Sequence, residues 1–241
     1  MILNSNNKKL NIIFCKYVYS KKNKMSFVKF SNICKFCGTI EKQLLRILYT
    51  LYSPALNMSI ITKTPNQQFI IPLRLLTKIP EPISITIYYD NKISIYPANN
   101  FTENYPSIII TNPGTYEIVV MFTKQNIINT ELNFGTTDKV SRESLIRINT
   151  FGELSLKHIS FVGCVNLVEV PAYLPPTIIS LELVFAYTNK FDQSLDKWNV
   201  SKVKNFRHAF YNSNFTHNLS SWNISPDSDC SHMFECSIID A

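Results

Sequence analysis

A constant period of 24 residues near the C-terminus limits the folds open to this chain more than any other feature. Aromatic, aliphatic and serine residues recur at that offset in two consecutive segments. The residues that define the two copies are Phe191, Leu195, Trp198, Val200, Ser201, Val203, Phe206, Phe210, Phe215, Leu219, Trp222, Ile224, Ser225 and Phe234. A fixed period in this range is typical of stacked repeats, which bury their apolar side against neighbouring units. The period therefore predicts a scaffold that presents a surface.

Each copy is predicted to form a short extended piece followed by a short helix. Ser201 is a favourable N-cap, and Val203, Phe206 and Phe210 follow it at helical spacing on one face. Ser225 occupies the same position in the second copy and precedes a proline, which is favoured at the first helical position. We therefore expect a helix of roughly ten residues after each serine. The two tryptophans are expected to pack between units, because an indole buries a large area.

Residues 191–201 (FDQSLDKWNVS) resemble the repeats of the BspA-like surface proteins, a branch of the leucine-rich repeat proteins. The second copy keeps the pattern except at Asp227 and Cys230. Upstream, residues 163–167 (GCVNL) resemble the turn of a leucine-rich repeat. The resemblance implies a short leucine-rich-repeat solenoid, displayed at the cell surface and used in adhesion or host contact.

Alternating apolar residues predict β-strands upstream of the repeats. Residues 83–89 and 93–95 alternate on either side of an Asp-Asn dipeptide, which predicts a hairpin. Residues 107–111 and 115–122 give two more strands, joined by a tight turn. Strands of this length and spacing suit a small sandwich of roughly six strands.

The run PGTYEIVV, which begins at Pro113, resembles the last strands of PKD-like domains of the immunoglobulin type. We therefore predict a mixed α and β fold. It consists of a PKD-like or immunoglobulin-like β-sandwich at residues 58–135, a linker at 136–150 and the leucine-rich-repeat solenoid at 151–241.

Basic charge is concentrated in residues 1–57, which hold nine lysines and Arg46 against Glu41, a balance of +9. Because the whole chain carries +7, the remainder sums to −2. A nucleic-acid footprint needs its charges on a folded face, so the basic pI of the chain does not predict nucleic-acid binding. We expect a solvated leader with one amphipathic helix at 41–52, and anchoring at a membrane surface is the alternative.

Few residues suggest chemistry. Cys34 and Cys37 form a CxxC pair, but a zinc site needs a second ligand pair and a redox pair needs a βαβ setting. His208 and His232 share one repeat position, which predicts a separation of roughly 5 Å, and they are interpreted as surface histidines. No glycine-rich phosphate loop or catalytic constellation is visible in a chain with five glycines. We expect no enzyme, and no catalytic, cofactor-binding or metal-binding residue.

The sequence thus predicts a noncatalytic repeat protein with a protein-binding surface, working in adhesion or host contact. An intracellular interaction protein of a large DNA virus or another AT-rich genome is the alternative, because no signal peptide is convincing and isoleucine, asparagine, lysine and tyrosine are frequent. A zinc or redox protein using Cys34 and Cys37 is the third reading. No run approaches the roughly 20 apolar residues of a transmembrane helix. The last unit lacks a polar cap, so we expect a truncated sequence or a partner there, including a second copy of the chain.

Overall fold

In the computed structural model all of the described residues lie in one compact unit, Ser53–Ala241. The expected amphipathic helix at 41–52 and the Cys34 and Cys37 pair lie outside the described residues. The structure describes residues 55–76, 84–89, 92–97, 105–122, 129–152 and 154–238.

Almost all of the regular secondary structure in the described part of the chain is β-strand, arranged in three sheets. The strands are β1 Ala55–Thr62, β2 Gln67–Ile70, β3 Leu73–Leu75, β4 Ser84–Tyr89, β5 Lys92–Pro97, β6 Ser107–Ile110, β7 Gly114–Phe122, β8 Asn129–Asn133, β9 Leu145–Thr150 and β10 Ser155–Ser160. One 3-10 turn, Phe134–Thr136, and one short α-helix, α1 Lys139–Ser144, follow β8. The sheets have the orders β5-β4-β7-β1-β9, β10-β8-β3 and β2-β6.

Period-two burial explains why these segments form strands. In β1, Leu56, Met58 and Ile60 are all fully buried, and the strand pairs antiparallel with β7 on one side and β9 on the other. Alternate side chains of a strand point to one face, so the three apolar residues face the core together. A single hydrophobic core continues from this sheet to Met233.

The hairpin predicted around the Asp-Asn dipeptide is confirmed, because β4 pairs antiparallel with β5 from Tyr89 and Lys92 outward. The two strands predicted on either side of Pro113 also form, but they do not pair with each other. β6 pairs with β2, whereas β7 pairs with β1 and β4. The turn between them therefore carries the chain from one sheet to another, and Tyr116 Oη closes it by donating to Asn112 O at 2.8 Å.

Residues 136–150, which the sequence interpretation assigned to a linker, contain α1 and β9. The Ser141 amide donates to Asp138 Oδ1 at 2.7 Å, and this N-cap starts α1. β9 is the edge of the five-stranded sheet, with Ile148 opposite Met58. β10 then runs parallel to β8 and leads into the C-terminal part of the chain.

From β10 onward the backbone forms four short segments that lie side by side, here called tiers 1 to 4. Isolated parallel bridges join them, from His158 to Ser180, from Ser180 to Asn205 and from Asn205 to Asp229. The tiers are residues 158–165, 180–188, 205–213 and 229–237. Residues about one sequence period apart thus become neighbours in space.

The predicted mixed α and β class, with helices in a leucine-rich-repeat solenoid, is wrong. No residue of 201–213 or 225–237 is helical, so no helix follows Ser201 or Ser225. These stretches are turns and isolated bridges, and α1 is the one α-helix among the described residues. The class that the structure supports is mainly β, with sheets that do not close on themselves.

Backbone hydrogen bonding gives the physical reason for this difference. In tier 3 the amides of Phe206, His208 and Phe210 donate across to tier 4, whereas the amide of Ala209 donates back to Phe206 O at 2.9 Å. An α-helix would use every interior amide in a bond to the fourth residue back. His208 and Asn212 also have positive φ, +53° and +49°, which a right-handed helix excludes.

The helical spacing of the apolar residues reflects their burial in these turns. Val203, Phe206 and Phe210 are all fully buried. Turns that repeat about every four residues place these side chains on the core-facing side of the chain, as a helix would. Spacing of three and four residues therefore indicated which side chains are buried, but not the backbone that buries them.

A column of phenylalanine rings links the 3-10 turn after β8 to the tiers. Adjacent ring centroids lie 6.1, 5.8, 5.6 and 5.4 Å apart along Phe134, Phe161, Phe185, Phe210 and Phe234. All but Phe234, which is half-buried, are fully buried. Pairs at these separations contribute beyond their buried area, so the column ties the tiers to the 3-10 turn that follows β8.

Candidate binding groove and aromatic strip

A groove of about 770 Å³ opens where the strands give way to the tiers. Its walls come from the 3-10 turn, α1, the end of β10 and tiers 1 and 2. The residues that line it are Asn133, Gly135, Thr136, Lys139, Arg142, Glu143, His158, Ser160, Val162, Gly163, Val165, Glu182, Leu183 and Tyr187.

Two glycines allow the walls to approach each other. A Cβ on Gly135 would lie 2.8 Å from Val162 Cγ1, a distance that real contacts essentially never show. Gly163 has φ +73°, and a Cβ there would lie 3.3 Å from Arg142 Nε. The Arg142 guanidinium is held at this wall because Nη1 donates to Thr137 O at 3.1 Å.

The tier side of the groove is anchored by polar bonds between successive segments. Asn166 Nδ2 donates to Glu143 O at 2.8 Å, which ties the residue directly after tier 1 to the end of α1. Asn205 Nδ2 donates to Glu182 Oε2 at 3.1 Å, and Ser160 Oγ donates to Leu183 O at 3.1 Å. The groove is therefore built from several chain segments that hold one another in place.

His158 is a half-buried titratable group in the wall. Its Nδ1 lies 3.1 Å from Ser180 Oγ, and its backbone is opposite Glu131 of β8. Glu131 is buried and forms an ion pair with Arg74, whose Nε lies 2.8 Å from its Oε1. Burial lowers the pKa of His158, while Glu131 and Glu182 act in the opposite direction. This lowered pKa favours the neutral imidazole at pH 7.

Four aromatic side chains continue from the mouth of the groove along the tiers, and we call them the aromatic strip: Tyr187, Tyr211, His208 and His232. The rings of Tyr187 and Tyr211 meet edge to face at 5.4 Å, and His208 lies 5.3 Å from Tyr211. His208 stacks on His232 at 4.9 Å, close to the separation predicted for these histidines. Tyr187 is 43% exposed, so the strip faces solvent where it leaves the groove.

The residues predicted to define the repeat lie elsewhere, and none of them lines the groove. Both indoles are buried and nearly parallel, with centroids 6.4 Å apart, and Trp222 Nε1 donates to Leu195 O at 3.0 Å. The others that are buried are Phe191, Leu195, Val200, Val203, Phe206, Phe210 and Phe215. Leu219, Ile224 and Phe234 are half-buried against the core, Ser225 is half-buried and Ser201 is exposed.

Sequence reasoning missed the groove and both tyrosines of the strip. Tyr187 and Tyr211 are separated by the same 24 residues as the tryptophans, so the period itself was the available signal. No comparable signal marks the groove, because its walls come from segments far apart in the chain.

Two features of the described residues bear on other functions. They contain no group of three or more histidine, cysteine or acidic side chains able to hold a metal ion. They also contain no helix long and apolar enough to span a membrane.

Comparison with known families gives one match. Residues 166–238 match a family described as "Mycoplasma protein of unknown function, DUF285". The matched part covers tiers 2, 3 and 4 and none of the ten strands. It is compatible with the resemblance of the repeats to the BspA-like surface proteins. No curated protein and no solved structure matches the chain.

Proposed function

We propose that this protein is a noncatalytic binding protein, and that the groove and the aromatic strip together contact a partner protein. The observation that carries the proposal is the continuity of the two features at Tyr187, which lines the groove and begins the strip. A protein partner needs both a recess for anchoring side chains and a flatter surface beside it.

The composition of this surface favours a protein over a nucleic acid. Tyrosine and arginine are enriched at protein interfaces, and Tyr187 and Arg142 both face the groove. Its charges have both signs, since Lys139 Nζ lies 3.6 Å from Glu143 Oε1 and Glu182 lies on the tier side. A phosphate backbone would call for a surface of one sign.

The finer proposal is display at the cell surface with a role in adhesion or host contact. It is supported by the resemblance of the repeats to the BspA-like surface proteins and by the compatible family match at residues 166–238. An intracellular interaction protein of a large DNA virus or another AT-rich genome is the second candidate, because isoleucine, asparagine, lysine and tyrosine are frequent in the chain. Protease treatment of intact cells distinguishes the two: loss of the protein supports display, and full protection supports the intracellular candidate.

Photocrosslinking from single positions tests the binding surface itself. A photoreactive phenylalanine at Tyr187 is expected to give discrete covalent adducts in cells of the native host. The matched control carries the same group at Lys197, an exposed loop residue outside the groove and strip. Tyr211→Ala in the Tyr187 crosslinking variant should reduce the adduct severalfold, because it removes the ring that packs against position 187.

Two outcomes contradict the proposal. Adducts of equal yield from positions 187 and 197 would mean that contact is random, and the absence of any adduct at 187 would mean that the surface meets no partner. Thermal unfolding of each variant, compared with the native chain, identifies any loss of adduct that comes from loss of fold.

A further inference from the structure

The groove carries a guanidinium and a carboxylate that have no counter-ion within the described part of the chain. Arg142 lies on the α1 wall and Glu182 on the wall formed by tier 2, and both line the groove. Each is half-buried. Neither forms an ion pair with another described residue. Lys139 and Glu143, which line the same groove, do pair with each other, with 3.6 Å between Nζ and Oε1.

The Arg142 guanidinium keeps most of its hydrogen-bonding capacity for a ligand. A guanidinium has five N–H donors, and Thr137 O, 3.1 Å from Nη1, is their one acceptor among the described residues. That bond fixes the direction of the group. Gly163 leaves room beside Nε, because a Cβ at this position would lie 3.3 Å from it. A guanidinium held in one orientation suits a carboxylate, which can accept two parallel N–H bonds from it.

The Glu182 carboxylate is also held in place by its neighbours. Its Oε2 accepts from Asn205 Nδ2 at 3.1 Å, and its backbone amide donates to Ser180 Oγ at 3.3 Å. Oε1 accepts no hydrogen bond from another described residue. His158 lines the same groove, but its lowered pKa favours the neutral ring at pH 7, so it supplies no positive charge there. The carboxylate is therefore free to accept from a cation of a ligand.

These two groups of opposite sign restrict what can fill the groove. A ligand with negative groups alone would be repelled by Glu182, and a ligand with positive groups alone would be repelled by Arg142. A purely apolar segment would take both charges out of water without giving either a partner, which costs free energy. A segment with one acidic and one basic side chain compensates both charges. Complementarity of this kind gives an interface its specificity.

We propose that the groove binds a segment of the partner protein that carries both an acidic and a basic side chain, the acidic one paired with Arg142 and the basic one with Glu182. This inference rests on the proposed function, because it names the chemistry of the partner at the same groove. Bonds between chain segments fix both walls, so the two charges are in position before the partner arrives and little ordering accompanies binding.

The test selects peptides from a random library displayed on phage, with the full chain as the target. The peptides are fused through their C-termini, so any carboxylate they offer comes from an aspartate or a glutamate. The recovered peptides should share an acidic and a basic residue at a constant spacing. One of them, synthesised with both ends blocked, is the probe for titration calorimetry. It should form an adduct with the photoreactive Tyr187 variant and not with the Lys197 control.

Single substitutions then assign each charge of the probe to its partner. Arg142→Gln and Glu182→Gln should each weaken binding by about tenfold or more, because each leaves one charge of the probe unpaired. Glutamine at position 182 keeps an acceptor for Asn205, so the wall is preserved. Arg207→Gln is the matched control and should bind as the native chain does, since Arg207 is exposed and does not line the groove.

A charge exchange checks the pairing without relying on loss of binding. Arg142→Glu should bind the probe poorly, and a probe with lysine in place of its acidic residue should recover most of the lost affinity. Recovery shows that the variant is folded and that the two groups meet.

Several results would overturn the inference. They are recovered peptides that lack the pair of charged residues, a probe that forms no adduct at position 187, equal binding by Arg142→Gln and Arg207→Gln, and no recovery in the charge exchange. Recovery of no peptide at all would also contradict it. The proposed function is judged separately by crosslinking in host cells. An adduct there at position 187 that Arg142→Gln leaves unchanged would refute the inference while the proposed function stands.

Discussion

Substitution at Asn212 tests the backbone of the tiers directly, because glycine and alanine there have opposite effects in a turn and in a helix. Asn212 is exposed and has φ +49°, so few side-chain contacts change when it is replaced. In the left-handed region an alanine costs about 1–2 kcal/mol, whereas glycine costs little. In a helix interior alanine would instead be better than glycine by about 1 kcal/mol. The structure therefore predicts that Asn212→Gly is more stable than Asn212→Ala by about 1–2 kcal/mol.

Urea unfolding followed by tryptophan fluorescence measures this difference, since both tryptophans are buried in the same region. Val140, which is 50% exposed in α1, provides the matched control. There Val140→Ala should be more stable than Val140→Gly by about 0.5–1 kcal/mol, the reverse order. If alanine were the more stable residue at both positions, residues 205–213 would be helical and the turn description would be wrong.

Three further predictions concern the core and the charged groups. Phe185→Ala removes a fully buried ring from the column and should lower the free energy of unfolding by about 3–5 kcal/mol. Phe234→Ala, at the half-buried end of the column, should lower it by about 1–2 kcal/mol, and equal shifts of the two urea midpoints would contradict the column. Burial lowers the pKa of His158, so as the pH falls the unfolded chain takes up a proton on this histidine before the folded chain does, and the free energy of unfolding should decrease at pH values below about 6.5. His158→Asn should reduce this decrease in unfolding measurements between pH 8 and 5. A hydrogen bond from Lys204 is the largest cause that lowers the pKa of Asp227 to about 2, so Lys204→Met should raise this pKa in a carboxyl NMR titration; it should also remove a stabilisation that is present above pH 3.9 and lost toward pH 2.

The strands could be predicted from the sequence because alternation is a sufficient signal for a half-buried strand. Residues 84–89 and 92–97 pair as the pattern predicted. The partners of the next two strands could not be predicted in this way. β6 and β7 are separated by a tight turn, yet they lie in different sheets, and pairing between distant segments leaves no local trace.

The sequence could not exclude the two predicted helices, because a helix and these turns bury apolar residues at the same spacing along the chain. Phe206 and Phe210 are buried in either case, and a serine cap followed by proline is also acceptable at the start of a turn. The residues that distinguish the alternatives are His208 and Asn212, since histidine and asparagine adopt positive φ more readily than most residues. Leu183 and Tyr187 hold the same conformation without any such signal.

The groove is built from segments far apart in the sequence, and some of them lie outside the segment that matches the family. The match begins at residue 166, yet the groove needs α1 and the 3-10 turn, and the phenylalanine column starts at Phe134. Tier 1 begins within β10, which pairs with β8 in a three-stranded sheet. Because tier 2 then bonds to tier 1, the order of the tiers is set from the sheet outward. The matched segment therefore shares one hydrophobic core with the strands before it, and its start at residue 166 is a boundary of sequence similarity that lies within that core.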